Sequence, residues 1–176
     1  MTATVYIKSL TTEAFAPFGD LLDISGQPNK IINQGFCERY HDRAAIDFSS
    51  GQAGISLFNA KPRALPYKLD MMERHPLGSQ AFIPMTYEAF LIIVAKDKDN
   101  SPSQPIAFLS EPGQAINFHR NIWHGVLTPL QGPGLFAVID RIGPEGNLEE
   151  VHFESPYLVV QNNKQSPKKE RSSYYL

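Results

Sequence analysis

Cysteine and long apolar runs are nearly absent from this chain of 176 residues. Cys37 is the only cysteine, so the chain can form no intramolecular disulfide and no zinc site built from several thiolates. The longest apolar stretch, residues 89–95, is too short to cross a bilayer. Residues 1–10 also lack the apolar core of a signal peptide. We therefore expect a cytoplasmic protein without membrane contact.

An excess of positive charge is missing as well. The chain has 16 basic and 18 acidic residues, a formal net charge of −2, which argues against nucleic acid as a partner. Its length suits one domain, which we predict at residues 1–160. The remaining segment, 161–176, is polar and carries four Lys/Arg residues against one Glu. We expect it to be a flexible tail.

Long helical patterns are scarce too, because 14 prolines and 12 glycines separate short apolar runs. One short helix is expected near the start, capped by Ser9 or Thr11, with Phe15 and Phe18 turned inward and Gly19 at its end. Strands are predicted near residues 54–60, 65–75, 80–85, 88–95, 106–110, 115–119, 124–127, 135–140 and 150–154. This pattern predicts a mainly β fold, an antiparallel barrel or sandwich with few short helices.

The segment 65–75 combines a strand pattern with ionisable residues. One phase of its period-two pattern is apolar and the other is charged at Lys68 and Asp70; the apolar positions are Leu65, Tyr67, Leu69 and Met71. If the strand continues in register, Glu73 and His75 point to the same side as these apolar residues, into the barrel, and Arg74 points outward. An interior carboxylate and imidazole need partners, which are each other in a purely structural hydrogen bond, a metal ion or a polar ligand.

A second segment carries His119 and His124 on either side of a tight connection. Together the two segments resemble the two motifs of the cupins, with Glu73-x-His75 and then Gln80 in the first, and Gly113 opening and His124 closing the second. Glu73 stands where cupins usually have His, and Gln80 where they have Glu. Cupins are jelly-roll-like antiparallel β-barrels whose motif residues converge on an interior metal.

The cupin resemblance implies a metal site made of Glu73, His75, Gln80 and His124. These oxygen and nitrogen ligands suit a divalent metal such as nickel, zinc, manganese or iron. Because Gln is a weak neutral ligand, we expect the ion to be weakly bound or absent.

A closer resemblance is to the ureidoglycolate lyases. Residues 73–84 (ERHPLGSQAFIP) look like the signature stretch of that family, and residues 121–127 (NIWHGVL) and 38–42 (ERYHD) resemble two further blocks. The resemblance covers residues 1–160. It implies a cytoplasmic homodimer that cleaves ureidoglycolate to glyoxylate and urea in allantoin catabolism, as a carbon–nitrogen lyase of the amidine-lyase type.

This reaction needs a base for the substrate hydroxyl, an acid for the departing urea nitrogen and a cationic anchor for the carboxylate. We assign Glu73 as the base or a third metal ligand, and His75 and His124 as ligands of the metal or of substrate oxygens. Gln80 completes the site through its carbonyl or donates through its amide.

The other roles fall on residues outside these two motifs. Arg39 is the preferred carboxylate anchor, with a surface ion pair as the alternative, and Tyr40 or His41 is the acid. Asp140 either reaches the pocket and binds substrate, pairs with Arg141 between strands, or caps a loop. His119 either binds substrate or has a structural role.

Two other functions remain open at this point. Glu73, His75 and His124 form a two-His-one-carboxylate set, which is typical of non-haem iron oxygenases. A non-catalytic cupin that binds a small metabolite is the second alternative.

Overall fold

Short strands dominate the computed structural model, which describes residues 2–162. The strands in this part of the chain are β1 (Thr4–Ser9), β2 (Gly19–Leu22), β3 (Lys30–Ile32), β4 (Cys37–Arg39), β5 (Gln52–Ala60), β6 (Tyr67–Arg74), β7 (Gln80–Pro84), β8 (Phe90–Ala95), β9 (Asp97–Lys98), β10 (Ser101–Pro102), β11 (Ile106–Leu109), β12 (Ala115–Phe118), β13 (Trp123–His124), β14 (Thr128–Pro129), β15 (Gly134–Ile142) and β16 (Glu149–Val160). Helical structure in the same range is limited to α1 (Thr12–Phe15) and a 3₁₀ turn at Asn33–Gly35. Within the described range, neither helical segment has the length and hydrophobicity of a membrane-spanning helix. Of the predicted tail at 161–176, residues 163–176 lie outside the described residues.

Two large sheets form the body of the fold. The seven-stranded sheet runs β11-β1-β16-β6-β13-β8-β14, and β8 also pairs with β11, so six of its strands close into a ring. The five-stranded sheet runs β2-β12-β7-β15-β5. Strand β1 pairs in parallel with both neighbours, whereas the other described ladders are antiparallel. The predicted mainly β, cupin-type barrel is confirmed.

Two hydrophobic cores result from this arrangement. The first lies between the two sheets and is rich in phenylalanine, including Phe82 and Phe118 from the five-stranded sheet and Phe90 from the seven-stranded sheet. The second is lined by strands of the closed ring and includes Leu69 and Trp123. Alternate side chains of β8 enter different cores, which explains why all six of its residues are buried and apolar.

The predicted short helix is confirmed at α1. Thr11 is the N-cap, and its hydroxyl oxygen accepts a hydrogen bond from the backbone N–H of Ala14 at 3.2 Å. Phe15 and Phe18 are buried in the core between the sheets. Gly19, the predicted end of the helix, begins β2.

The alternation along β6 changes phase, and the directions predicted from it for Glu73 and Arg74 are wrong. Tyr67 and Leu69 face the core of the ring as expected, but the next residue in that core is Met72 rather than Met71. The pairing of β6 with β16 also shifts register there, between His152 and Tyr157 of β16. This change of phase turns Arg74, predicted to point outward, toward Trp123, where it is buried. Burial of its guanidinium is possible there because the carboxylates of Asp97 and Glu149 pair with it. Glu73, predicted to share the side of Tyr67 and Leu69, instead faces His124 in the space between the two sheets.

Candidate active site

Pairing of β6 with β13 places Glu73 directly opposite His124. Residues opposite each other in a ladder project to the same face, and His124 Nδ1 lies 3.9 Å from Glu73 Oε1. His75 follows the end of β6, and its ring centroid is 5.3 Å from that of His124. Glu73, His75 and His124 each offer one potential ligand atom, and these atoms lie within 4.8 Å of one another. The two distant sequence segments therefore meet as predicted.

The orientation of both imidazoles is defined by backbone carbonyls. His124 Nδ1 donates to the carbonyl of Gly125 at 3.1 Å, and His75 Nδ1 donates to that of Asn147 at 2.5 Å. Because a carbonyl oxygen only accepts, Nδ1 carries the proton and Nε2 of a neutral ring is left with a free lone pair. Both Nε2 atoms are buried without a hydrogen-bond partner. This arrangement is typical of histidines that bind a metal.

The protonation states of His124 and Glu73 follow from burial. Desolvation, with a smaller contribution from the neighbouring His75, lowers the pKa of His124 to about 3, so its ring is neutral. Burial also raises the pKa of Glu73, helped by the nearby Glu150 and opposed by His75. The Glu73 side chain is 20% exposed, so the site reaches solvent at this residue. A carboxylate with a raised pKa is a stronger base than one in water.

Gln80 and Asp140 form a second polar pair beside His75. They lie on β7 and β15, one step beyond the registered pair of Ala81 with Ile139. The Gln80 side chain donates a hydrogen bond to the Asp140 carboxylate. Burial raises the pKa of Asp140, whereas this hydrogen bond and the nearby His75 partly lower it. Gln80 Oε1 and Asp140 Oδ1 are buried without partners. The pairing of Asp140 with Arg141, one of the three alternatives, is not among the described contacts, because Arg141 binds Glu145 and Ser50.

Arg39, Tyr40 and His41 lie on and just after the β3–β4 hairpin, at the molecular surface. Arg39 Nη2 is 2.9 Å from His41 Nδ1, and the Tyr40 hydroxyl donates to the Glu38 carboxylate at 3.1 Å. The contacts described for residues 2–162 do not join this hairpin to Glu73, His75 or His124. Their roles as anchor and acid therefore stay predictions.

His119 points away from the site. Phe118 stacks on His124 with a centroid distance of 4.3 Å and an interplanar angle of 6°. Neighbouring strand residues face opposite sides, and His119 Nε2 accordingly lies 3.0 Å from Asp20 Oδ1, while Asn117 donates to the same carboxylate. This geometry fits the structural alternative for His119, and a contact with substrate stays a prediction.

Sequence reasoning missed the groups that hold the two imidazoles. Every residue has a backbone carbonyl, so nothing in the sequence marks Gly125 and Asn147 as acceptors. Asn147 also accepts a hydrogen bond from the Leu77 N–H through its Oδ1 at 2.7 Å, which joins the loop after β15 to the segment after His75. Phe118 carries no signal beyond that of an ordinary core residue.

The two sheets, one of which closes into a barrel, and the Glu and His side chains clustered between them define a cupin-type protein with a candidate metal centre. The sequence model of the ureidoglycolate lyases matches residues 2–160, and the chain belongs to this enzyme family. It is 56% identical to the ureidoglycolate lyase of Rhodobacter capsulatus, over 87% of this chain and 96% of that protein. Identity is 50% with the ureidoglycolate lyase of Mesorhizobium japonicum, over 86% and 94% of the two chains. The predicted family resemblance is confirmed.

Proposed function

We propose that this protein cleaves ureidoglycolate to glyoxylate and urea, as a carbon–nitrogen lyase of the amidine-lyase type. Membership of the ureidoglycolate lyase family across residues 2–160 supports the choice of substrate. The observation that carries the proposal is the meeting of Glu73 with two buried imidazole Nε2 atoms that have no hydrogen-bond partner. Such a cluster provides a proton acceptor beside groups that bind oxygen ligands or a metal.

The reaction is an elimination that consumes no water. The substrate carbon carries a hydroxyl, a carboxylate and a urea nitrogen. The hydroxyl proton passes to a base, the carbon–oxygen double bond forms as the carbon–nitrogen bond breaks, and the urea nitrogen takes up a proton. Glu73 is the base in our proposal, because its buried carboxylate has a raised pKa and is still open to solvent on one side.

The proton for the leaving nitrogen requires a second group. Asp140 is suited to this role, since burial raises its pKa and its Oδ1 has no partner. Tyr40 and His41 are the alternative acids and Arg39 the carboxylate anchor if the β3–β4 hairpin extends to bound substrate. His119 contacts Asp20 and would affect the site only through the neighbouring Phe118.

The residues present also fit a divalent metal. His75 Nε2 and His124 Nε2 would hold it, with Gln80 Oε1 as a weak further ligand whose amide is oriented by Asp140. The Glu73 carboxylate would be a ligand only if another group is the base. When bound, nickel, zinc, manganese or iron would stabilise negative charge on the substrate oxygens and lower the pKa of the hydroxyl.

The test is conversion of racemic ureidoglycolate by the purified protein, with glyoxylate and urea both measured over time. We expect the two products to appear in equal amounts and only one enantiomer to be consumed. Stripping with a chelator should lower the rate, and adding back single divalent metals should identify the one that restores it. Product formation no faster than the spontaneous decay would contradict the proposal.

We further propose a homodimer in the cytoplasm, as the family resemblance implies. Light scattering on the purified protein should give twice the 19.7 kDa mass of one chain.

The Glu73, His75 and His124 cluster also matches the ligand set of non-haem iron oxygenases. Oxygen uptake during turnover would favour that function. Full release of urea under anaerobic conditions would exclude it for this reaction.

A further inference from the structure

Behind the candidate active site, a buried cation and an indole lie on the opposite face of the same two strands. Arg74 follows Glu73 on β6, and Trp123 precedes His124 on β13. Since successive strand residues alternate in direction, both side chains point away from the site. Trp123 is 1% exposed and Arg74 is 7% exposed. The Arg74 guanidinium lies over the indole, 4.4 Å from the ring centroid.

A single carboxylate oxygen joins these two side chains. Asp97 Oδ1 accepts one hydrogen bond from Arg74 Nη1 and one from Trp123 Nε1, both at 2.8 Å. Its other oxygen, Oδ2, accepts from the backbone N–H of Asn100 at 3.3 Å, which orients the carboxylate. Asp97 therefore links the strand that carries Glu73 to the strand that carries His124.

The ladder between these strands is too short to align them firmly by itself. Strand β13 has two residues, and its pairing with β6 has the single registered pair of Glu73 with His124. The relative position of these two residues sets the geometry of the site. Displacement of a reacting group by about 1 Å can lower a rate by about a hundredfold. A side-chain link behind the pair is a direct way to limit such displacement.

We propose that Asp97 is a positioning residue, which holds Arg74 and Trp123 together and thereby keeps Glu73 and His124 in register. Asp97 itself does not touch the site. The expected effect on turnover rests on the proposed function, whereas the expected effect on the geometry of the imidazoles does not.

Glu149 offers a matched control. Its Oε2 accepts a hydrogen bond from Arg74 Nε at 2.6 Å, so it binds the same guanidinium with a charge of the same sign. Its side chain is 50% exposed, against 39% for Asp97. Glu149 lies on β16, however, and among the described contacts it has none with Trp123. It stabilises the burial of Arg74 without linking β6 to β13.

The kinetic test compares Asp97→Ala with Glu149→Ala in the full chain. We expect Asp97→Ala to lower kcat/KM by about ten- to a hundredfold and Glu149→Ala to change it by less than about threefold, with similar losses in Tm. Asp97→Asn keeps an oxygen acceptor for the indole and should restore most of the activity. Trp123→Phe removes the same hydrogen bond, so its effect should not add to that of Asp97→Ala. Equal losses in the two alanine variants would overturn the proposal.

A second readout is independent of turnover. The ¹⁵N and ¹H signals of the His75 and His124 side chains can be assigned in the purified protein. We expect the His124 signals to move in Asp97→Ala and to stay in place in Glu149→Ala. If Asp97→Ala does not fold, Trp123→Phe should move these signals and Asp97→Asn should not. Moved signals in a protein that makes no glyoxylate would contradict only the proposed function. Unmoved signals would contradict the role of Asp97.

Discussion

Buried polar atoms without partners are concentrated around His75 and His124. Of the six such side-chain atoms in the described residues, four belong to the candidate site: His75 Nε2, His124 Nε2, Gln80 Oε1 and Asp140 Oδ1. Each unsatisfied buried group costs about 1–3 kcal/mol of folding stability. A cluster of them is therefore expected where a ligand or metal supplies the missing bonds. This cluster distinguishes the site from an ordinary structural Glu–His contact.

Replacing Glu73 tests the assignment of the base. Glu73→Gln keeps the shape of the side chain but removes its ability to accept a proton as a carboxylate. We expect kcat to fall by about 10²- to 10⁴-fold, because this is the usual contribution of a positioned base. Asp70→Asn is the control, since Asp70 lies on the same strand with a 57% exposed side chain paired to Lys68. Near-normal turnover by Glu73→Gln, measured as glyoxylate release, would show that another group is the base.

The loop between β15 and β16 is the element that supports His75. Its Asn147 accepts from the His75 ring through the backbone carbonyl and from the Leu77 N–H through the side chain. Arg141 stabilises the same loop through Glu145, at the end of β15. The orientation of His75 therefore depends on a segment about 70 residues away in the sequence.

Changing Asn147 tests this dependence. Asn147→Ala removes the acceptor of the Leu77 N–H, which should lower the free energy of unfolding by about 1 kcal/mol. We also expect activity to fall roughly tenfold as the carbonyl that orients His75 shifts. Asn147→Asp keeps an oxygen acceptor and should retain most of the stability and most of the activity. Urea unfolding and steady-state kinetics on the two variants provide the measurement. Equal stability and equal activity of Asn147→Ala and Asn147→Asp would argue against the link from Asn147 to Leu77 and His75.

The candidate site lies between the two sheets of the molecule, where a charged side chain is energetically unfavourable because it is removed from water. His124 is the clearest case, because it is fully enclosed and stacked on Phe118. In the unfolded chain its pKa has the ordinary value of 6.5, whereas in the folded protein burial lowers it to about 3. Between these pH values the unfolded chain binds a proton that the folded protein does not.

The free energy of unfolding should therefore decrease as the pH falls from about 6.5 towards 3. The slope due to His124 is at most about 1.4 kcal/mol per pH unit, and above pH 6.5 it disappears. The variant His124→Phe keeps an aromatic ring against Phe118 but cannot titrate. Urea unfolding of both proteins between pH 4 and 8, with chelator present, isolates the contribution of His124. The raised pKa of Glu73 acts in the opposite direction in both proteins. If the free energy of unfolding changed with pH in the same way in the wild-type protein and in His124→Phe, the prediction would be contradicted.

Much of the fold and part of the site followed from local patterns. Short apolar runs between prolines and glycines indicated the strands, and Thr11 with Phe15 indicated α1, because period and capping depend on neighbouring residues. The motif spacing likewise selected Glu73, His75 and His124. The register of β6 was predicted incorrectly, so that Arg74 was assigned to the surface, because a change of phase depends on pairing with a distant strand.

Composition, spacing and side-chain type were enough to predict the β class, the family and the candidate ionisable residues Glu73, His75 and His124. Only the tertiary structure decided which nitrogen of each imidazole is free, because the carbonyls of Gly125 and Asn147 are chemically ordinary until folding places them. It also decided that Asp97 lies behind the site and that the hairpin with Arg39 lies at the surface. Contacts of this kind depend on long-range pairing, which no short stretch of chain specifies.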